Sequence, residues 1–318
     1  MEKEFQQIDW DQQTEAQWRH LVRLAMDEDL GEMGDLTTRA LVPEHAIGRA
    51  MLVARRPGVV AGLPGAEVAL EHFDPRVLWE PVAEEGREIA TGDCLARLEG
   101  PVPSLLTAER LLLNLLGRLS GIATLTRQFV EAVEGTKARI YDTRKTTPGW
   151  RRLEKYAVRC GGGRNHRTGL YEAILIKDNH LAFGAQADLT AETVRVGESF
   201  SPGEAVQQAR RFIETHLPAP LRETTIVEIE VDTLVQLEMV LPVGPDIVLL
   251  DNMGSEVLRQ AVALRDTFAP EVELEASGGV DLASVRGIAE SGVDRISVGA
   301  LTHSAVCLDI GLDWVDGK

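Results

Sequence analysis

Residues 224–252 read TTIVEIEVDTLVQLEMVLPVGPDIVLLDN, and this stretch contains one complete unit of the fold. Apolar β-forming residues dominate TTIVEIEV and DIVLLDN at its two ends, and TLVQLEMVL between them has the apolar spacing of a helix. A strand, a helix and a second strand in this order are typical of two parallel strands joined by a crossover helix. The stretch therefore predicts an α/β fold built on a parallel sheet.

The same alternation continues on both sides of this unit. Strand-like segments at residues 138, 172, 272 and 294 read ARIYDT, EAILIKD, VELEASGG and DRISVG, and helical segments such as SPGEAVQQARRFIETHL and SEVLRQAVALRDTF lie between strands. The predicted strands end in polar, charged or glycine residues, namely Asp142, Lys177, Glu230, Asp251, Ser277 and Gly299. Such residues at six successive strand ends favour a β/α barrel with its chemistry at the C-terminal rim. The alternative, a doubly wound open sheet, would concentrate them near one switch point.

The first part of the chain has a different pattern and predicts an α+β unit. Residues 21–30 have helical apolar spacing and end at Gly31. The β-rich segments AMLVARRPGVVAG and EIATGDCLARLEGPV begin at residues 50 and 88 and are separated by Gly and Pro turns. Thr107 is then the predicted start of a long apolar helix, TAERLLLNLLGRLSGIATLTRQFVEAV.

The composition limits the kinds of partner. The chain has 318 residues and a formal net charge of -17, which disfavours a general nucleic-acid binder because phosphate backbones require a broad basic surface. Cys94, Cys160 and Cys307 are widely separated and form neither a metal-binding CxxC spacing nor a disulfide framework. The N-terminal segment has no apolar core of a signal peptide, and no apolar run reaches the roughly 18 residues that cross a bilayer. We expect a cytoplasmic protein that binds small molecules, without nucleic-acid or membrane partners.

One short segment inverts the acidic character of the chain. Between residues 137 and 167 lie ten of the 33 Lys and Arg residues and only two acids. A dense cationic block in an acidic protein is typical of a site for a small, multiply anionic ligand. The candidates that follow the first two barrel-like strands are Arg144, Lys145, His166, Arg167 and Lys177. A second group is expected to form a solvated helix face, namely Arg151, Arg152, Lys155 and Arg159.

Two carboxylates are expected to face this cationic site. Glu230 and Asp251 each follow a run of apolar β-formers, and paired carboxylates at strand ends can hold Mg²⁺ or accept hydrogen bonds from sugar hydroxyls. Glu228 lies on the same face of its strand as Glu230, so alternation alone leaves both as candidates. A helix N-cap within DNMGSE is the alternative role of Asp251.

Two glycine motifs end consecutive late strands. Ser277, Gly278 and Gly279 end one strand, and VGA at 298–300 ends the next. Glycines expose main-chain N–H groups, and the late strands of β/α barrels commonly bind phosphate in this way. A phosphate site opposite a cationic cluster, with two acids between them, predicts the reaction of a phosphosugar with an anionic acid. Phosphoribosyl transfer fits this chemistry.

At these residues the chain resembles the quinolinate phosphoribosyltransferase family. The resemblance rests on long strings in the order of the family: DTRKTTPGWRRLEKYAVRCGGGRNHR, LIKDNH, VEIEVDTL, LLDN, EASGG and ISVGALTHSA. Earlier matching strings are EDLGEMGDLTT, VVAGLP and AERLLLNLLGRLSGIAT, so the resemblance covers nearly the whole chain. It implies a type II phosphoribosyltransferase with an N-terminal α/β sandwich and an incomplete β/α barrel. We expect these domains to comprise residues 1–125, joined by a C-terminal tail at 303–318, and residues 126–302.

The resemblance also implies roles for individual residues. Those that would bind the two carboxylates of quinolinate are Arg144, His166, Arg167 and Lys177, with Arg110 lent by the neighbouring subunit of a homodimer. Lys145 would meet the pyrophosphate or ribose of phosphoribosyl pyrophosphate, and the 5′-phosphate would be bound by Ser277, Gly278, Gly279, Gly299 and Ala300. Thr143 and Val298 would be further substrate-binding residues. Glu230 and Asp251 would hold the ribose hydroxyls and Mg²⁺, since the family pattern selects Glu230 over Glu228. The residues expected to be catalytic are Lys145, Lys177, Glu230 and Asp251.

The implied reaction transfers phosphoribosyl from phosphoribosyl pyrophosphate to quinolinate with decarboxylation, as in de novo NAD biosynthesis. Its products are nicotinate mononucleotide, pyrophosphate and CO₂. The alternatives are a related transferase for another aromatic acid, such as nicotinate, and a non-catalytic phosphosugar-binding barrel. The expected assembly is a homodimer, with a hexamer of dimers as a larger form. An extended segment around residues 187–222 departs from the family pattern, and no site residue is placed there.

Overall fold

The computed structural model describes residues 3–183 and 201–315. Its strands, numbered along the chain, are β1 Ile47–Ala54, β2 Gly58–Val59, β3 Leu78–Pro81, β4 Glu88–Ile89, β5 Cys94–Pro101, β6 Arg139–Tyr141, β7 Ala173–Ile176, β8 Ile226–Val231, β9 Ile247–Asp251, β10 Glu273–Ser277, β11 Arg295–Ser297 and β12 Ile310–Trp314. Its α-helices are α1 Gln12–Leu30, α2 Leu36–Leu41, α3 Leu63–Phe73, α4 Val102–Ala132, α5 Arg151–Cys160, α6 Asp178–Phe183, α7 Pro202–His216, α8 Ala219–Thr224, α9 Leu234–Val240, α10 Ser255–Phe268, α11 Val285–Ala289 and α12 Ala300–His303. A 3-10 turn, Leu241–Val243, follows α9.

The chain divides into two compact units that interleave along the sequence. The barrel unit comprises the described residues of the ranges 1–6, 131–144 and 165–299. The N-terminal unit comprises those of the ranges 7–130, 145–164 and 300–318. The domain boundaries at residues 125 and 302 stay predictions, since compact units need not coincide with the domains of a family.

The barrel unit is built on a parallel six-stranded sheet in the order β6-β11-β10-β9-β8-β7. Around this sheet the strands follow one another in chain order, without the reversal that a doubly wound sheet contains. β6 and β7, the first and second strands, lie at its two edges. The sheet is therefore a β/α barrel that is open between its first two strands, and the predicted incomplete barrel is confirmed.

The segment 224–252 shows why the central strands form. In β9 all residues from 247 to 250 are buried, and in β8 Glu230 alone is part-exposed. Burial on both faces requires covering helices, and α7, which contacts β7 and β8, is one of them. α7 begins with a capping box in which Ser201 and Glu204 satisfy each other's main-chain N–H groups. Burying each Val, Leu or Ile side chain of this layer contributes about 1.5–3 kcal/mol.

The N-terminal unit contains an antiparallel sheet in the order β12-β1-β5-β3. β1 pairs on one side with β12, from Ala50 opposite Trp314 to Ala54 opposite Ile310, and on the other side with β5. α1 contacts both α3 and α5, and its Trp18 is fully buried. This unit has the α+β character that the sequence predicts.

Three details differ from the sequence-based expectations. α1 begins at Gln12, well before residue 21, because the Asp11 side chain caps it by accepting the Thr14 N–H at 2.8 Å. α4 begins at Val102 and not at Thr107, since β5 runs directly into the helix. The solvated face expected for α5 is wrong for Lys155, which is fully buried because α5 packs on α1 and α12 of the N-terminal unit. Its other members, Arg151, Arg152 and Arg159, are part-exposed.

Residues 3–6 form an arm within the barrel unit. Tyr141 Oη donates to Glu4 Oε2 at 2.8 Å, and Arg295 Nη1 lies 3.2 Å from Glu4 Oε1. Phe5 is buried in a cluster with the first residues of β7, β8 and β9. The arm therefore packs on the amino-terminal ends of the barrel strands.

The extended segment around 187–222 is described in part. α7 and α8 account for its second half, and residues 187–200 lie outside the described residues. Within the described ranges, no helix combines the length and apolar character needed to cross a membrane.

Candidate functional site

The ends of β7 and β8 bring a predicted cation and a predicted acid together. Lys177 directly follows β7, and its Nζ forms an ion pair with Glu230 Oε2 in β8. The pair is part-exposed, with 42% of the Lys177 side chain and 13% of the Glu230 side chain accessible. Both charges are therefore available to a ligand at this end of the sheet.

Glu228 and Glu230 point to the same face of β8 but lie at different depths. Glu228 is fully buried, and its carboxylate lies 3.1 Å from His166 Nε2. Glu230, two residues nearer the carboxyl end, contacts Lys177 instead. The structure thus separates two candidates that alternation alone could not, and Glu230 is the one nearer the carboxyl ends of the strands.

Asp142, which follows β6, ties the cationic segment to this end of the barrel unit. It is fully buried; its Oδ2 accepts a hydrogen bond from Asn165 Nδ2 at 2.7 Å, and its Oδ1 accepts one from the His166 N–H at 2.9 Å. Thr143 and Arg144 come directly after Asp142 and are part-exposed. Two buried hydrogen bonds to one carboxylate therefore place residues 165–167 beside the end of β6.

His166 is held on three sides. Its Nδ1 accepts a hydrogen bond from the Arg167 N–H at 2.8 Å, its Nε2 faces Glu228, and its ring stacks on Phe5 with 4.4 Å between centroids. Glu275 in β10 lies on the same side as Glu228, with Oε1 3.5 Å from Nε2. One atom from each of these three buried side chains lies within 4.8 Å of the others.

Burial shifts the titration of two of these groups. Burial raises the pKa of Glu275 to about 7, and the negative charge of Glu228 adds to the rise. Burial also lowers the pKa of Arg167, which is only 7% exposed and donates from Nη1 to the Ala173 carbonyl at 3.2 Å. The site therefore contains a carboxyl group that titrates near neutral pH.

The ends of β9 and β10 interlock through a glycine turn. Ser277 lies opposite Asp251 in the parallel register, and the Asn252 N–H donates to the Ser277 carbonyl at 2.9 Å. Asn252 Nδ2 donates to Asp251 Oδ2 at 2.7 Å. Gly278 has φ +95, and a Cβ added there would lie 2.2 Å from Asn252 Oδ1. Only glycine fits this position, which keeps the main chain at the end of β10 open to a ligand.

Asp251 ends β9 and does not cap a helix. The N-cap of α10 is Gly254, which has no side-chain capping bond. The alternative role of Asp251 as an N-cap is therefore wrong, because MGS separates it from the first turn of α10. Its carboxylate remains part-exposed at the strand end.

The other predicted residues divide between the two units. Val298 extends β11, since its N–H donates to the Tyr141 carbonyl at 2.9 Å, and Gly299 is the last residue of the barrel unit. The predicted site residues that belong to the N-terminal unit are Arg110, Lys145 and Ala300. Arg110 is exposed on α4, and Lys145 is exposed at the start of the range 145–164.

The loop that begins at Lys145 is fixed within the N-terminal unit. The Lys145 carbonyl accepts a hydrogen bond from Thr302 Oγ1 at 2.8 Å. The buried Glu154 accepts the Thr147 N–H at 3.1 Å and pairs with Arg118 Nη2 at 2.6 Å. These contacts hold the main chain of the loop beside Lys145 in one position.

Several residues of the site were not singled out from the sequence. They are Glu4, Phe5, Asn165, Asn252 and Glu275, together with Asp142, which was named only as the end of a strand. Asp142 and Glu275 carried a usable signal, since each is a charged residue within an apolar strand pattern. The sequence around Phe5 contained no such signal, because the residues that Phe5 contacts lie more than a hundred residues away.

The fold and the site define a class of protein. A parallel β/α barrel with cations, carboxylates and a glycine turn at the carboxyl ends of its strands is an enzyme scaffold for anionic, phosphorylated substrates. The chain belongs to the quinolinate phosphoribosyl transferase family. The N-terminal domain of that family matches residues 35–120, and its C-terminal domain matches residues 122–313.

Known proteins resemble the chain over most of its length. Nicotinate-nucleotide pyrophosphorylase, carboxylating, of Mycobacterium leprae (strain TN) is 44% identical over 299 residues, which cover 93% of this chain and 96% of the relative. A probable protein of the same name from Bacillus subtilis (strain 168) is 38% identical over 286 residues, covering 90% and 89%. The structure of the nicotinate-nucleotide pyrophosphorylase from Francisella tularensis has a TM-score of 0.83 at 33% identity, covering 98% of this chain and all of that one. The predicted family is confirmed.

Proposed function

We propose that the protein transfers phosphoribosyl from phosphoribosyl pyrophosphate to quinolinate and releases CO₂, giving nicotinate mononucleotide and pyrophosphate. Family membership supports the reaction. The observation that carries the proposal is the ion pair of Lys177 with Glu230, since it joins a cation for an anionic acid to a carboxylate for the sugar. We also propose that the protein is located in the cytoplasm.

Quinolinate would be bound through its two carboxylates. The residues proposed for this role are Arg144, His166, Arg167 and Lys177, with Arg110 supplied by the partner subunit of a homodimer. Guanidinium groups bind carboxylates through two parallel hydrogen bonds, whereas an ammonium group acts as a point charge. Two carboxylates need more cations than one, which favours quinolinate over nicotinate.

Phosphoribosyl pyrophosphate would lie across the ends of the later strands. The residues proposed for it are Thr143, Lys145, Ser277, Gly278, Gly279, Val298, Gly299 and Ala300. The positive φ of Gly278 and Gly279 supports a 5′-phosphate site there, because such turns direct main-chain N–H groups outward.

Mg²⁺ fits Glu230 and Asp251 by the chemistry of their donors. Both are part-exposed carboxylates on neighbouring strands, and Mg²⁺ is usually bound by one or two carboxylates together with substrate phosphates. When bound, the ion would neutralise negative charge on the pyrophosphate leaving group. Glu230 would then interact with both Mg²⁺ and Lys177.

The residues then act mainly by position and charge. The ring nitrogen of quinolinate attacks C1 of the ribose, and pyrophosphate leaves with the bonding electron pair. Glu230 and Asp251 would stabilise the positive charge that develops on the ribose, while the cations hold the acid in line. The ribosylated ring nitrogen is positive, so it stabilises the electron pair left at C2 when CO₂ departs. A proton then replaces the lost carboxylate.

The first test is a direct assay. Purified protein is given quinolinate, phosphoribosyl pyrophosphate and Mg²⁺, and release of CO₂ and formation of nicotinate mononucleotide are followed. We expect turnover with quinolinate and little with nicotinate. Equal or faster turnover of nicotinate would assign the protein to a different aromatic acid.

Arg144→Ala and Lys177→Ala test the proposed quinolinate residues. Each removes a charged hydrogen-bond donor, a loss of about 1.5–3 kcal/mol, so kcat/KM for quinolinate should fall by about 10- to 150-fold. Arg259→Ala is the control, because Arg259 is exposed on α10 and pairs only at the surface with Glu256. Near-normal kcat/KM in both site variants would remove the proposed carboxylate site.

A further inference from the structure

The proposed reaction leaves one buried cluster without a role. His166, Glu228 and Glu275 meet inside the barrel unit, and both carboxyl groups are fully buried. Their nearest ligand atoms lie within 4.8 Å of one another. Two ionised carboxylates at that separation repel each other strongly where little water screens them, so one of them is expected to hold a proton.

The hydrogen bonds of His166 fix its protonation state. The Arg167 main-chain N–H can only donate, so Nδ1, at 2.8 Å, must accept. A ring with an acceptor at Nδ1 is neutral and carries its proton on Nε2. That Nε2–H is directed at the Glu228 carboxylate and donates to Oε1 at 3.3 Å, with Oε2 3.1 Å away.

Glu275 is then the member that holds the proton. Its Oε1 lies farther from Nε2, at 3.5 Å, and its carboxyl group meets only weak polar contacts, with the neutral Ser297 hydroxyl beside it. An ionised carboxylate in that setting would be costly, whereas a protonated one carries no net charge. Burial, which raises the pKa of Glu275 to about 7, acts in the same direction.

The same cluster has the composition of a transition-metal site, but the geometry disfavours that use. An imidazole binds a metal through a nitrogen lone pair. In His166 the Nδ1 lone pair accepts the Arg167 N–H, and Nε2 carries the proton, so neither nitrogen is available. The negative charge of the two carboxyl groups is therefore reduced by a proton and not by a metal ion.

We propose that Glu228 and Glu275 form a carboxyl pair that holds one proton, on Glu275, and that this pair positions neutral His166 at the dicarboxylate site. The inference rests on the proposed function in taking quinolinate as the dicarboxylate. Glu228 and Glu275 are positioning residues, since they act on the substrate through His166.

The groups around Glu275 set the direction of its pH dependence. They are Glu228 from β8, His166 from the segment before β7, and Arg295 from β11, which also pairs with Glu273 and Glu4. As the pH rises through about 7, Glu275 ionises and adds a second negative charge beneath the anion site. Quinolinate, a dianion, then binds more weakly.

Stability follows the same sign. The pKa of Glu275 is raised from 4.5 to about 7 on folding, so its protonation stabilises the folded state fully below pH 4.5. That contribution is lost as the pH rises through about 7. A variant with a neutral side chain at position 275 should not lose this stability as the pH rises.

Glu275→Gln and Glu228→Gln form a matched pair for the test. The KM for quinolinate and kcat are measured from about pH 5.5 to about pH 8.5, which brackets the pKa of about 7. In the wild type, KM should rise about tenfold across this range, as one pKa unit of interaction predicts, with kcat changed far less. Glu275→Gln, which mimics the protonated carboxyl, should keep the low KM at every pH. Glu228→Gln weakens the bond to His166 and should raise KM about 5- to 20-fold at every pH.

Two readouts do not depend on turnover. Nitrogen-15 spectra of labelled histidine should show His166 as the neutral Nε2–H tautomer throughout this range in the wild type and in Glu275→Gln. The Tm of the wild type should fall relative to that of Glu275→Gln as the pH passes about 7. If quinolinate is not turned over, the proposed function fails while these two measurements still decide the inference.

The inference is overturned by any of three results. These are a Glu275→Gln variant as impaired as Glu228→Gln, a His166 ring that becomes protonated near neutral pH, and a stoichiometric metal ion that EDTA removes from the wild type. A merely structural role would lower Tm equally in both variants and leave the pH profile of KM unchanged.

Discussion

Gly278 shows at the scale of one residue how closely the strand ends fit together. It adopts φ +95, and its Cα faces the Asn252 side chain so closely that a Cβ would lie 2.2 Å from Oδ1. Asn252 itself has a positive φ of 54 and bonds both to Asp251 and to the Ser277 carbonyl. A change at Gly278 therefore moves the carboxylate at the end of β9 as well as the turn at the end of β10.

Gly278→Ala should separate this contact from simple backbone strain. Its control is Gly92→Ala, because Gly92 has a similar φ of +93 but nothing within 4 Å of an added Cβ. The control should cost about 1–2 kcal/mol of stability, the penalty of the left-handed conformation. Gly278→Ala should cost about 1–3 kcal/mol more and raise the KM for phosphoribosyl pyrophosphate. Urea denaturation and steady-state kinetics measure both, and equal losses in the two variants would show that the Asn252 contact is unimportant.

The position of a site residue could be predicted from the sequence only where the end of a strand determines it. Lys177, Glu230 and Asp251 could be predicted, since the carboxyl ends of parallel strands meet at one edge of the sheet. The partnership of Glu228 with Glu275 could not, because alternation gives the face of a strand but not its depth or its neighbour. β8 and β10 are separated by β9 in the sheet, so the contact depends on barrel curvature that no local pattern encodes.

The N-terminal arm shows at the scale of an element how a short polar segment can complete a core. Residues 3–6 have too few apolar positions for any periodicity, yet Phe5 is only 3% exposed. Phe5 stacks on His166, and Arg295 lies over its ring at 5.5 Å from the centroid. The arm thus links the amino-terminal ends of the barrel strands to a candidate substrate residue.

Phe5→Ala tests this link, with Phe212→Ala as its control. Both phenylalanines stack on a histidine, but Phe212 pairs with His216 on α7 and is 45% exposed. Removing the buried ring should cost about 3–5 kcal/mol, and removing the exposed one about 0.5 kcal/mol. The KM for quinolinate should rise only in Phe5→Ala, because His166 loses its stacking partner. Chemical denaturation measures the free energy of unfolding, and kinetics at fixed pH measure the KM. An unchanged KM in Phe5→Ala would limit the arm to a structural role.

Most elements could be predicted, and the exceptions share a cause. Each of the six barrel strands lies in a short β-rich segment between predicted helices or turns, so each was found within two residues of its bounds. The predicted starts of α1 and α4 were wrong because the apolar pattern does not determine them. The Asp11 cap sets the start of α1, and the end of β5 sets the start of α4. Lys155 was misplaced because its burial depends on which unit α5 joins.

At the scale of the whole molecule, each compact unit is assembled from separate stretches of chain. The N-terminal unit needs α5 from the range 145–164 and β12 from the range 300–318. β12 pairs with β1 over five residue pairs, so without it β1 would expose an unpaired edge. The units are therefore not separable by one cut.

A fragment of residues 1–125 should fail to fold as a soluble monomer. It lacks β12 and α5, and the exposed edge of β1 should lead to aggregation, seen by circular dichroism and size-exclusion chromatography. The control is the full chain with a short Gly-Ser insertion after Gly135, which lies exposed in a turn with nothing within 4 Å of an added Cβ. The insertion should cost under about 1 kcal/mol. A stable, monomeric fragment would show that the N-terminal unit does not need its later segments.

The arm also determines when the barrel unit can be finished during synthesis. Glu4 leaves the ribosome 291 residues before its partner Arg295. At about 5–20 residues per second, the arm waits about 15–60 s for that partner. Phe5 stays without its buried contacts during this interval, so a nascent-chain chaperone that recognises short apolar segments would find the arm accessible until the later barrel strands are synthesised.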